Sequence, residues 1–312
     1  MERAAATPAS AQSDLLPAAT VMAIAGLQVR ARCVADGVLA GLHRSKRQGE
    51  SAEFAEHKLY APGDDVRRID WKAFGRRDRY YVRRYQEETS LGAFLVVDTS
   101  GSMTYPEQGR HSKYQYAATL AASLAYLLLR QSDAVGLITF AAAARRALPL
   151  SGRQAQLDEM ASALEQAPLG GRTDAQAALS ALGELVRRHA LVVVLTDLLG
   201  AVDGAGGLDQ LFGSLAVLRA RGADVALLQV LDPDEIELPF PGVVRFFDLE
   251  SEREIQVDAG AIRDAYRDEV RSFLARVENA AATGGMTYQL VRTDEPPVAA
   301  LTRFVANRAR WS

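Results

Sequence analysis

The sequence predicts an α/β protein with a doubly wound, mostly parallel sheet, and three observations support this fold class. From Gly92 onward, short runs of valine, leucine and isoleucine alternate with longer stretches of helical periodicity. These apolar runs lack the alternation of polar and apolar residues, which is typical of strands covered by helices on both faces. A chain of 312 residues, 48% of them hydrophobic, is long enough to bury such a core.

Individual elements follow from the same patterns. Helical spacing predicts helices over residues 113–130, 153–166, 174–188, 208–221 and 259–282. Strands are predicted for AFLVV (93–97), AVGLITF (134–140), RALPL (146–150), ALVVVLT (190–196), DVALLQVL (224–231) and VVRFFDL (243–249). We therefore expect residues 91–312 to form the α/β domain.

The first 90 residues read differently. Residues 1–20 are rich in alanine, proline and serine and are predicted to be a disordered tail. Residues 21–90 are expected to hold a small helix, over 21–42, and a charged, β-rich decoration with short strands near 53–60 and 80–86. The basic residues between 67 and 84 lie in one stretch with Asp64, Asp65, Asp70, Asp78, Glu87 and Glu88, so local ion pairing explains them better than a nucleic-acid surface.

Composition excludes several classes of protein. A net charge of −3 implies no strong field of one sign, and no nucleic-acid partner is expected. A single cysteine, Cys33, excludes an internal disulfide, and we expect it to be buried on a helix. The longest weakly polar run, 117–129, is shorter than the roughly 20 residues of a membrane span. We predict no membrane span and a cytoplasmic location.

Oxygen-bearing side chains follow two predicted strands and precede one predicted helix. Asp98, Ser100 and Ser102 follow the first strand in VVDTSGSM, Thr173 lies in GGRTD, and Asp197 ends VLTD. The carboxyl ends of parallel strands share one edge of a sheet, where ligands bind. Two carboxylates and three hydroxyls suit Mg²⁺, and Mn²⁺ or Ca²⁺ less well, whereas the lack of histidine and cysteine argues against zinc. Two acids leave the ion undercharged, so a partner's carboxylate would be a further ligand.

The same five residues resemble the metal-ion-dependent adhesion site (MIDAS) of von Willebrand factor A domains. That family has an Asp-x-Ser-x-Ser pattern, a distal threonine and a distal aspartate, in this order. The resemblance implies that Ser100 and Ser102 bind Mg²⁺ directly, and that Asp98 acts directly or through water. It also implies that Thr173 is a ligand in some states and that Asp197 acts mainly through a water.

A second motif lies upstream. Residues 63–71, GDDVRRIDW, resemble the Gly-Asp-Asp-x-Arg-x-Ile-Asp-Trp hallmark of the bacterial domain of unknown function 58 family. Members of that family pair this motif with an A-type domain. Their genes commonly neighbour those of MoxR-type AAA+ ATPases, which implies an adaptor or co-chaperone role with such an ATPase or its client.

Two functions are compatible with these residues. We predict a metal-dependent protein-binding module that is not an enzyme, because neither a Gly-x-Ser-x-Gly elbow nor a histidine base accompanies the serines. A nucleophilic aspartate would need a second acid where Ser100 stands. The alternative is a Mg²⁺-dependent phosphoester hydrolase, with Asp64, Asp65 or Asp174 as further acids.

Overall fold

A central sheet flanked by two helical layers organises the chain in the computed structural model. The structure describes residues 26–48, 57–59, 81–83, 91–106, 111–173, 189–201, 207–250 and 253–308. The predicted tail 1–20, the predicted helix 174–188 and the 63–71 motif lie outside these residues.

The described elements are ten strands, seven α-helices and two short 3₁₀-helices. The strands are β1 (His57–Leu59), β2 (Tyr81–Arg83), β3 (Gly92–Asp98), β4 (Ala134–Phe140), β5 (Ala144–Ser151), β6 (Leu191–Thr196), β7 (Asp224–Leu231), β8 (Val243–Phe247), β9 (Glu254–Asp258) and β10 (Thr287–Arg292). The helices are α1 (Leu27–Gln48), α2 (Lys113–Arg130), α3 (Ala155–Glu165), α4 (Gly207–Ala220), α5 (Pro233–Glu237), α6 (Ala259–Thr283) and α7 (Pro297–Arg308). The 3₁₀-helices are Ser102–Thr104 and Leu199–Ala201.

The main sheet has the strand order β10-β7-β6-β3-β4-β5. Neighbouring strands are parallel except β5, which runs antiparallel to β4 at one edge. Alternate residues of β3 enter different cores, with Leu95 facing α1, α2, α3 and α7, and Phe94 facing α4 and α6. Because both faces are covered, the strands are continuously apolar, and the predicted doubly wound fold class is confirmed.

One predicted strand lies elsewhere than in the main sheet. The run VVRFFDL forms β8, which pairs with β9 in an antiparallel sheet that has two strands in the described part of the chain. The position next to β7 belongs instead to β10, which the sequence analysis did not identify. Alternate residues of β8 are exposed, and this is the reason that a buried-strand interpretation of the run was wrong.

The N-terminal helix belongs to one of the two helical layers. It begins at Leu27, and Leu27, Val34 and Val38 are fully buried in the core shared with α2 and α7. Cys33 lies on the opposite side of this helix and is exposed, so its predicted burial is wrong. Farther along, β1 and β2 pair antiparallel, in agreement with the predicted short strands. Within the described ranges, no helix combines the length and apolarity required to cross a membrane.

Candidate metal site

The predicted site residues lie where the strand order changes direction. The chain leaves β3 for β4 on one side and later returns to β6 on the other side, so β3 and β6 are parallel neighbours. Their register pairs Val97 with Leu195, and both strands end within the next residue. Asp98 and Asp197 therefore follow neighbouring strands at a topological switch point, which is where proteins of this fold class usually bind their ligands.

Asp98 is completely buried, and its carboxylate is held from both sides. Its Oδ2 accepts a hydrogen bond of 2.6 Å from the hydroxyl of Thr196, and its Oδ1 accepts one of 2.9 Å from the backbone N–H of Ser100. Thr99 turns the other way and donates its hydroxyl to the carbonyl of Phe140 on β4. The alternation in DTSGS is thus explained: Thr99 anchors the loop to β4, whereas Asp98 faces β6.

The two serines of the motif contact each other. Ser100 is buried, Ser102 begins a 3₁₀-helix, and their hydroxyl oxygens are 3.1 Å apart. Hydroxyl oxygens at this separation can share one cation or one proton. The structure therefore presents the pair as a potential bidentate oxygen donor.

Asp197 is also completely buried, and each of its carboxylate oxygens has a hydrogen-bond or ion-pair partner. Its Oδ1 accepts a hydrogen bond of 3.0 Å from the N–H of Leu199, and its Oδ2 lies 2.7 Å from Nζ of Lys113. Leu198, which lies between Asp197 and Leu199 in the sequence, has a left-handed φ of 63°, an unfavourable conformation for a leucine. Gln229 of β7 secures the same turn by donating its amide N–H to the carbonyl of Asp197.

Thr173 belongs to a loop that contacts both of the others. The N–H of Gly101 donates to the carbonyl of Gly171 at 2.9 Å, which ties this loop to the one after β3. On the other side, a Cβ added to Gly200 would lie 2.5 Å from Cβ of Thr173 and 3.0 Å from its hydroxyl oxygen. Glycine at position 200 is therefore required for this close approach. The structure brings all three predicted loops together.

Sequence reasoning missed a buried ion-pair network beside these loops. Lys113, the first residue of α2, is fully buried and also contacts Oε1 of Glu235 on α5, at 2.5 Å. Burial lowers the pKa of Lys113, but Asp197 and Glu235 outweigh this effect, so the net pKa is raised and the ammonium stays charged. One signal was available: LDPDE after β7 repeats the strand-end acidic pattern of VLTD.

The carboxylates exceed the available positive charge. Burial and the nearby carboxylate of Asp197 raise the pKa of Asp98 to about 7. Among the described residues, no lysine or arginine forms an ion pair with Asp98. A divalent cation would relieve this repulsion, and the donor set of carboxylates and hydroxyls fits Mg²⁺.

The described residues do not offer a conventional cluster of acidic or histidine ligands. No group of three or more histidine, cysteine, aspartate or glutamate side chains suited to a metal occurs among them. A cation at this site would thus combine few carboxylates with the serine and threonine hydroxyls and with water. His111 and His189, whose side chains the structure describes, are exposed, so neither serves as a buried base for Ser100.

Fold and site together define a doubly wound α/β protein with an oxygen-rich loop cluster at the carboxyl edge of its sheet. The chain belongs to the family described as protein of unknown function DUF58, whose family model matches residues 56–275. Uncharacterized proteins from Mycobacterium tuberculosis and Mycobacterium bovis are each 32% identical over 310 residues, covering 97% of this chain and 94% of theirs.

Several solved structures are similar to this chain at low identity. An aerotolerance-related membrane protein from Bacteroides fragilis is 20% identical, with a TM-score of 0.48, over 71% of this chain and 100% of that chain. BatB from Bacteroides thetaiotaomicron is 19% identical, with a TM-score of 0.46 and the same coverage. A von Willebrand factor type A protein from Catenulispora acidiphila is 13% identical, with a TM-score of 0.35, over 58% of this chain and 42% of that chain. The fold described above rests on this chain's own strands and helices.

Proposed function

We propose that this protein is a Mg²⁺-dependent protein-binding module that captures an acidic side chain of a partner. One observation carries the proposal: two fully buried carboxylates meet hydroxyl-bearing loops with too little positive charge to balance them. Ser100 and Ser102 would hold the ion directly, with Asp98, Asp197 and Thr173 completing the set directly or through water. When bound, Mg²⁺ supplies the positive charge that attracts a partner carboxylate.

The chain's own residues prepare the site for this role. Thr196 and the N–H of Ser100 fix the carboxylate of Asp98, and Lys113 and the N–H of Leu199 fix that of Asp197. Because these groups are held in place, little ordering accompanies cation or partner binding.

The partner that we propose is a MoxR-type AAA+ ATPase or its client, with this protein as adaptor or co-chaperone. The resemblance of residues 63–71 to the DUF58 hallmark and the membership of that family support this assignment. The role agrees with the predicted cytoplasmic location, which stays a prediction.

A phosphoester hydrolase is the competing function, and no described residue favours it. The further acids that it would use, Asp64, Asp65 and Asp174, lie outside the described residues. Phosphoester turnover is therefore measured alongside partner capture.

Affinity capture of a MoxR-type ATPase by the full chain, with Mg²⁺ or with EDTA, tests the proposal. Asp98→Asn is the informative variant, because it keeps the size and the acceptor for Thr196 but removes the charge. Asp133→Asn is the matched control, since Asp133 accepts a hydrogen bond from the N–H of Leu91 at the opposite edge of the sheet.

We expect Mg²⁺-dependent capture by the wild type and by Asp133→Asn, and loss of capture in Asp98→Asn or in EDTA. Capture that persists under both of the latter conditions contradicts the proposal. Turnover of a generic phosphoester that disappears in Asp197→Ala would establish the hydrolase instead.

A further inference from the structure

A carboxylate of this chain reaches the candidate site from the β8–β9 hairpin. Glu250 lies beyond the end of β8, and its Oε1 accepts a hydrogen bond of 2.8 Å from the hydroxyl of Thr173. Its Oε2 accepts a second one, of 3.0 Å, from the backbone N–H of the same threonine. Glu250 therefore contacts one of the predicted metal ligands with both of its oxygens.

The backbone beside Glu250 contacts a second loop of the site. A Cβ added to Gly101 would lie 2.2 Å from the carbonyl oxygen of Leu249 and 3.5 Å from Cγ of Glu250. Only glycine at position 101 leaves room for this contact. The hairpin is thus fitted against the loop after β3 as well as against Thr173.

The Glu250 carboxylate brings a negative charge to the loop that carries Thr173. Glu250 adds a further carboxylate next to loops that already carry Asp98 and Asp197. No lysine or arginine of the described residues lies within 4.0 Å of its oxygens in an ion pair. A divalent cation held beside Thr173 would attract this carboxylate.

We propose that Glu250 is the carboxylate that completes the metal site in the free protein, and that a partner's acidic side chain binds by displacing it. This inference rests on the proposed function, because it concerns the occupant of the same site. It assigns Glu250 as a metal ligand and assigns the β8–β9 hairpin as an internal competitor of the partner.

The hairpin is attached in a way that permits displacement. Among the described strands, β8 and β9 pair with each other and not with the main sheet, so moving the hairpin breaks no hydrogen bond of that sheet. Val243, Phe247 and Ile255 are 64%, 62% and 59% exposed, which shows that much of its apolar surface is not packed. A cavity of about 910 Å³ lies alongside, lined by Ser102 and Gly200 of the site and by Val244 and Glu250 of the hairpin, among others.

Titration calorimetry with Mg²⁺ alone tests the first half of the proposal. Glu250→Gln keeps the shape of the side chain and removes its charge, and Glu254→Gln is the control, since Glu254 lies on the same hairpin and faces Arg245 at 3.8 Å. Loss of one anionic ligand should weaken Mg²⁺ binding roughly tenfold in Glu250→Gln, whereas Glu254→Gln should match the wild type.

Tryptic cleavage after Arg253 reports on the hairpin itself, independently of any partner. We expect Mg²⁺ to slow this cleavage in the wild type and in Glu254→Gln but not in Glu250→Gln. A peptide with a single glutamate, compared with its glutamine counterpart, tests displacement: with Mg²⁺ present it should bind Glu250→Gln more tightly than the wild type.

The outcomes separate this inference from the proposed function. If the wild type binds Mg²⁺ and Asp98→Asn does not, but Glu250→Gln matches the wild type in affinity and cleavage, the role of Glu250 is overturned and the binding module stands. If the wild type binds no Mg²⁺, the proposed function fails, and this inference fails with it.

Discussion

Lys113→Met separates the electrostatics of the site from the metal itself. In the structure, the Lys113 ammonium is fully buried between Asp197, at 2.7 Å, and Glu235, at 2.5 Å. Methionine has a similar length and no charge, so the variant keeps most of the packing and leaves Asp197 with no ammonium. The variant removes one positive charge and the two hydrogen bonds that the ammonium donates to Asp197 and Glu235.

The expected loss follows from the burial of the pair. Removing one partner of a buried ion pair typically costs about 3–5 kcal/mol, because the other charge stays buried without compensation. For a domain of this size each kcal/mol lowers the melting temperature by about 2–4 °C, so we expect a decrease of roughly 6–20 °C. Denaturant unfolding in EDTA should give the corresponding decrease in the free energy of unfolding.

The control uses an exposed ion pair of the same protein. Arg271 and Asp268 are 2.8 Å apart on α6, but their side chains are 75% and 68% exposed. Arg271→Met should therefore change the free energy of unfolding by no more than about 0.5 kcal/mol. If Mg²⁺ binds at the site, it should raise the melting temperature of Lys113→Met more than that of the wild type, because it supplies the missing positive charge to Asp197.

A loss below about 1 kcal/mol in Lys113→Met would refute this reasoning, because it would mean that water solvates Asp197 in the folded state. A large decrease in the free energy of unfolding of Lys113→Met, with no greater stabilisation by Mg²⁺ than in the wild type, would support the ion-pair network and contradict a cation beside Asp197.

Two further substitutions test the packing and the ligands of the site. Gly200→Ala should destabilise the fold by about 1–3 kcal/mol and weaken Mg²⁺ binding, because the added Cβ would collide with Thr173. The control is Gly213→Ala, where the added Cβ meets open space on α4; this change should be neutral or should stabilise the fold by up to about 1 kcal/mol. Calorimetry and thermal unfolding measure both effects, and equal behaviour of the two variants would contradict the close contact. Ser102→Ala should abolish stabilisation by Mg²⁺ while changing the metal-free melting temperature little, and Ser214→Ala, on the exposed side of α4, should keep the wild-type response to Mg²⁺.

The central strands were predictable because their burial is complete. Every residue of β6 is buried, and β3, β4 and β7 have at most one partly exposed residue at the start. Their sequences are correspondingly uniform in valine, leucine and isoleucine. The edge strand β10 lacks this continuous apolar pattern. Its sequence, TYQLVR, mixes polar and apolar residues, and its residues are partly buried or buried, so it was not recognised as a strand from the sequence.

The site shows the same division between local and distant information. Asp98, Ser100 and Ser102 lie within five residues, and the strand that precedes them fixes where they point. Lys113 contacts Asp197 across 84 residues of sequence, and Glu250 contacts Thr173 across 77. Nothing local distinguishes a buried lysine at the start of a helix from an exposed one, so these partners required the tertiary structure.

The distant contacts also bear on how the site would distinguish between cations. Both oxygens of Asp98 and both oxygens of Asp197 already accept hydrogen bonds, yet each carboxylate oxygen has a second acceptor position. A cation would therefore meet acids whose orientation is fixed, and its binding would depend mainly on the charge that it brings to a buried, net negative cluster. A divalent ion gains about twice as much from this field as a monovalent ion of similar size. Asp98→Asn should for that reason weaken Mg²⁺ binding more strongly than it weakens any binding of Na⁺.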